Sequence, residues 1–175
     1  MDERDLKRLL DDKLYLNNKL AFYRENKTIV ESLSKHEIKG HLEKARHNLS
    51  FLKEIKPEFN DWTLVACYYA TYHAALALII SKGNFSKNHD ATLCILIKEF
   101  YKKELTKEDI QLLNLFDAQD LLFYVESKNK REEASYSTKI KYGTPEVNNL
   151  KVKTTLFINK VDKIIKEDTL SSSYS

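Results

Sequence analysis

Four side chains able to do proton or hydrogen-bonding chemistry crowd into the stretch DWTLVACYYATYHAALALIISKG, residues 61–83: Tyr68, Tyr69, Tyr72 and His73. Tyr69 and His73 are four residues apart, as are Tyr68 and Tyr72, and on a helix that spacing stacks side chains along one face. An imidazole can take or give a proton near neutral pH, and a phenol hydroxyl can donate a hydrogen bond to a ligand. Asn88 and His89 follow a short polar turn, and Arg131 and Tyr136 lie in a charged run further on. Each residue also has a structural reading: core tyrosines with satisfied hydroxyls, a hydrogen-bonded core histidine at position 73, a helix cap at 88–89, and an ion-paired surface arginine at 131.

Other chemistries fit less well. His36, His41 and His47 are five and six residues apart, which does not bring neighbours onto one helical face, and no carboxylate completes a metal site, so neither metal nor cofactor is expected. Cys67 and Cys94 sit within apolar helical patterns, where buried reduced thiols are the commoner outcome, and a reducing, cytoplasmic setting follows. Lys151, Lys153, Lys160 and Lys163 are interleaved with Glu146, Asp162 and Glu167 and read as a solvated face rather than a nucleic-acid stripe.

The elements that must position these residues are helices. Only three glycines and two prolines occur in 175 residues, against 29 Lys+Arg and 26 Asp+Glu, a composition for long helices with charged outer faces. The net charge of +3 permits an RNA partner without demanding one. The charged start MDERDLKRLLDD has no apolar signal core, and the apolar run Ala74 to Ile80 is too short to span a bilayer, so no membrane association is expected.

Leu6, Leu9, Leu16, Leu20, Tyr23 and Val30 predict one amphipathic helix from Glu3 to about Leu33, with a break near Asn26. Ile38, Leu42, Ala45, Leu49 and Leu52 predict a second that Pro57 stops. The third runs from Asp61 as N-cap to Gly83 as the residue after its end, with Trp62, Val65, Tyr69, Tyr72 and Leu76 as its buried stripe. NFSKNH reads as a polar turn before a helix from His89 to about Lys103 carrying Leu93, Ile97 and Phe100 inward. Thr106 and Asp109 form a near capping box for a helix with Leu112, Leu113, Phe116, Leu122 and Phe123 inward. Thr144 and Pro145 open the last helix, whose stripe is Val147, Leu150, Phe157, Val161 and Ile164 as far as Glu167. The chain therefore divides into an N-terminal helical extension (1–35), a four- to five-helix up-and-down bundle (36–168) and a disordered tail (169–175), an all-α fold. The long N-terminal stripe leaves more apolar surface than one bundle covers, and a homodimer is expected.

The run YYATYHAALALIISKG followed by KNHDA, then REEASY, then TPEVNNLKVKTTLFINKV resembles the HEPN domain, a small helical bundle. The likeness covers about His41 to Glu167. It implies a nucleotide- or RNA-associated protein, in some cases paired with a minimal nucleotidyltransferase, in others a metal-independent ribonuclease toxin of a toxin–antitoxin system. The ribonuclease members set an arginine four to six residues before a histidine, a base for the 2′-hydroxyl and a cation for the phosphate. Here the residue five beyond Arg131 is Tyr136, and positions 131–143 contain no histidine. A phenol is ionised only about one part in a thousand at neutral pH. The sequence thus favours a binding or partner module with a pocket near Arg131, Tyr136 and His73 over a ribonuclease that borrows His73 or His89 as base.

Overall fold

A computed structural model describes residues 1–115 and 144–171. Among them are seven α-helices, one 3₁₀ turn and a single pair of three-residue strands, so the all-α reading holds. Five of the helices exceed ten residues: α2 (Lys13–Glu25), α3 (Lys35–Glu54), α4 (Asn60–Ser81), α5 (His89–Phe100) and α7 (Thr144–Ser171). The shorter ones are α1 (Glu3–Asp11) and α6 (Lys107–Asn114).

The central helix is α4. It packs on α3, α5 and α7. A 3₁₀ turn at Pro57–Phe59 joins α3 to α4, a link short enough to force the two antiparallel. Thr71 meets Thr154 and Lys82 meets Asp168, both pairings rising along the two helices, so α7 runs parallel to α4. Arg46 of α3 forks onto Asp162 of α7 at 2.6 and 3.2 Å and ties the third side of the bundle. By length and composition Trp62–Ser81 could cross a bilayer, yet 78% of it is buried inside the bundle, as a core helix is.

Several ends form as their residues dictate. Gly83 sits at φ +78, the left-handed conformation that closes a helix, one residue past the α4 cap. Thr106 and Asp109 satisfy each other's backbone amides in a full capping box. Leu93, Ile97 and Phe100 on α5 are buried, as are Val147, Leu150, Phe157, Val161 and Ile164 on α7. That last helix continues to Ser171, beyond the Glu167 end and into the segment read as a tail. The expected inward positions of Phe116, Leu122 and Phe123 lie outside the described residues.

Four expectations are corrected. The N-terminal helix breaks at Asp12, whose amide closes on Arg8 O at 2.8 Å while its carboxylate caps α2 at Tyr15 N, 2.9 Å. Leu6, Leu9, Leu16 and Leu20 stay buried across this break, so their spacing could not reveal it. NFSKNH is not only a turn: Asn84–Ser86 (β2) pairs antiparallel with Ile29–Glu31 (β1), in the register Ile29 to Ser86. The α4 helix starts two residues early, at Asn60, with Phe59 rather than Asp61 in the cap position and without a side-chain cap. Its buried stripe is also rotated. Of the five residues expected inside, Leu76 is buried, Val65 and Tyr72 are half-buried, and Trp62 and Tyr69 are 51% and 38% exposed. The deep positions are instead Ala66, Cys67, Ala70, Thr71, Ala74 and Ala77, small side chains that let neighbouring helices approach closely.

The helices of the N-terminal segment pack on α5, and Leu6, Leu9, Leu16 and Leu20 join the same core as the bundle. Of the rest of the expected stripe, Tyr23 is half-buried and Val30 is exposed.

Candidate functional site

The antiparallel α3–α4 hairpin turns at Pro57, and positions equidistant from that turn face each other. His41 and His73 are each sixteen residues from it. Their Nδ1 atoms are 2.9 Å apart, and their rings are 5.1 Å centre to centre with 30° between planes. At that distance one Nδ1 carries a hydrogen and the other accepts it, so the two imidazoles hold opposite tautomers. One ring then offers an Nε2 lone pair and the other an Nε2–H.

The pair begins a run of rings. Tyr69 stacks on His73 at 6.4 Å and 26°, and Tyr68 meets Tyr69 edge-on at 5.0 Å. Tyr72 lies parallel to Tyr68 at 5.6 Å and 10°, and His89 stacks on Tyr72 at 5.9 Å and 24°. Phe85 of β2 closes the far side of His41 at 6.5 Å. The strand pair therefore has a role at the site, since it fixes Phe85 against the α3 imidazole. Tyr68 is buried, Tyr72, His73, His41 and His89 are half-buried, and Tyr69 opens to solvent two turns along the helix from exposed Trp62.

Burial is the first cause that pulls His73 down to about 4, followed by the positive charge that His41 would carry and by Lys44. His41 is lowered too, by burial and then Lys44, with Glu37 opposing. Both rings are therefore neutral at physiological pH. Burial raises the Tyr72 phenol, which a hydrogen bond with Thr92 partly offsets. The thiols are inert: burial pushes Cys67 up to about 11 and Cys94 up to about 12.

Of the residues singled out by sequence, His73, Tyr69, Tyr72 and His89 come together in this run. Asn88 is beside it but its Oδ1 caps α5 at Ala91 N, 2.9 Å, while its carbonyl accepts from Thr92 Oγ1 at 2.9 Å. Arg131 and Tyr136 lie outside the described residues. His41 is the residue that sequence reasoning missed. Its spacing to His36 and His47 on its own helix carries no signal, whereas its symmetry with His73 about Pro57 does. Among the described residues no three His, Cys, Asp or Glu side chains cluster as a ready-made metal cage. An open groove of ≈ 810 Å³ beside the strand pair, lined by Arg24, Val30, Leu33, Lys82 and Gly83 among others, holds none of the ring residues.

Compared with known proteins, the chain matches no family model and no curated protein sequence.

Proposed function

We propose that this chain is a HEPN-like binding module for a nucleotide or single-stranded RNA, without ribonuclease chemistry of its own. The observation that carries the reading is the run of six rings from His41 to His89, half-buried at its core and open at Tyr69. Stacked aromatic rings with one exposed edge make a platform for a nucleobase, and any base has a face to offer it. The two imidazoles supply one acceptor and one donor for a base edge without placing a charge there.

The same pair argues against the enzyme alternative. Metal-independent RNA cleavage needs a base whose pKa lies near the working pH and an acid to protonate the leaving oxygen. A ring held near 4 is a weak base, and the paired rings contain no imidazolium at neutral pH. Arg131 is the proposed phosphate contact, a second copy of the chain is a proposed partner, and a small nucleotidyltransferase is the partner that the resemblance implies.

Trp62, the single tryptophan, reports on this face. Single-stranded RNA titrated into the protein should quench Trp62 saturably. Tyr69→Ala should weaken that binding by the loss of one stacked base, about 1–3 kcal/mol. Equal binding by wild type and Tyr69→Ala would remove the ring platform from the account.

A further inference from the structure

We infer that His41 and His73 form a two-imidazole site for a divalent transition metal, of the class of Cu²⁺ or Ni²⁺, bound between α3 and α4 by their facing Nδ1 atoms. The inference uses two of the rings of the proposed binding face, does not require a nucleotide to bind there, and rests on geometry. Two nitrogen donors on different helices are held 2.9 Å apart with their rings tilted by 30°. At metal–nitrogen distances of about 2.0–2.1 Å, such a separation subtends about 90° at an ion placed between them. That is the cis angle of square-planar and octahedral centres, which Cu²⁺ and Ni²⁺ favour, whereas tetrahedral Zn²⁺ wants its donors roughly 0.4 Å further apart.

The helices fix that separation. Phe85 lies 6.5 Å from His41 and Tyr69 lies 6.4 Å from His73, ring centre to ring centre, on the outer flanks of the pair. Both rings are half-buried, so each keeps part of its surface in contact with solvent. Lys44 on the same helix opposes a cation at either ring, and Glu37, one turn before His41, offsets it in part. With two protein ligands, the remaining positions go to water or to an oxygen donor of a ligand.

Binding is balanced in protons. The imidazole that carries hydrogen on Nδ1 loses it there and regains one on Nε2, and the other ring already has its hydrogen on Nε2. Two neutral imidazoles bind the ion and no proton is released overall.

Cu²⁺ titrated into the full-length, tag-free protein at pH 7.5, followed by visible absorbance and electron paramagnetic resonance, tests this directly. One ion per chain should bind with a Kd on the order of tens of micromolar, as expected for half the ligands of a structural site. The spectrum should show two coordinated nitrogens, and Zn²⁺ should bind more weakly than Cu²⁺. His41→Gln and His73→Gln should each weaken binding by at least about tenfold, since even outer-shell partners command that much. His36→Gln and His47→Gln should leave it unchanged. Should either site variant unfold, the wild-type spectrum decides. Two nitrogen donors support the site, whereas a thiolate charge-transfer band or binding indifferent to both site variants overturns it.

Discussion

Lowering the pH should loosen the fold through His73, and the size of the effect follows from where that ring sits. Its folded pKa is about 4, because burial, His41 and Lys44 all resist its charge. In the unfolded chain the ordinary value is about 6.5. The unfolded state therefore takes up a proton first as the pH drops. Stability is fully present above about 6.5 and is lost progressively as the pH falls toward 4. At pH 5 those two values correspond to roughly 2 kcal/mol, and partial access of water to a half-buried ring reduces this to about 1 kcal/mol. The charged groups that face the pair are Lys44 and Glu37, with the phenol of Tyr69 above His73. The second proton also has a structural consequence, since both Nδ1 atoms then carry hydrogen and can no longer share it. Urea unfolding of wild type and His73→Gln at pH 7 and pH 5 isolates the effect from every other titrating group they have in common. The wild type should lose about 1 kcal/mol more than the variant, or about 2–4 °C in Tm for a chain of this size. Equal losses in the two proteins, or a wild type favoured at pH 5, would refute the buried neutral pair.

Further outcomes follow from the helix ends. Gly83→Ala should cost about 1 kcal/mol, because φ is +78 and an added Cβ would lie 3.2 Å from Leu33 Cδ1; thermal melting measures it. Asp109→Ala should cost about 1–2 kcal/mol in urea melts, since it opens the α6 capping box and frees Lys160, whereas Lys160→Ala alone should cost less than about 1 kcal/mol.

Much of this fold was legible because helix ends are local chemistry. Gly83 had to supply a left-handed residue, Thr106 and Asp109 could satisfy each other's amides, and the α7 stripe had a clear inside. The rotation of α4 was not legible for a physical reason: with apolar residues on nearly every side, its sequence has no preferred direction, and the small size of Ala70 and Ala74 decides which face goes deepest. The aromatic spacing made Tyr69, Tyr72 and His73 visible as a cluster, but its open edge at Tyr69 depended on that rotation. The His41–His73 contact joins positions 32 residues apart and exists only once the hairpin closes. The strand pair is equally non-local, since neither Ile29–Glu31 nor Asn84–Ser86 is long enough to show a period of two by itself.

The central claim is a nucleic-acid binder without cleavage, and one experiment addresses both halves. A fluorescent single-stranded RNA is mixed with the full-length protein in chelator at pH 7.5, its anisotropy is followed to saturation, and the same sample is run on a denaturing gel. The RNA should bind saturably and remain intact, Arg131→Ala should weaken the binding, and cleavage should arise only once Tyr136→His supplies a base. RNA cut by the unmodified chain, with the cutting abolished by His73→Ala or His89→Ala, would contradict it.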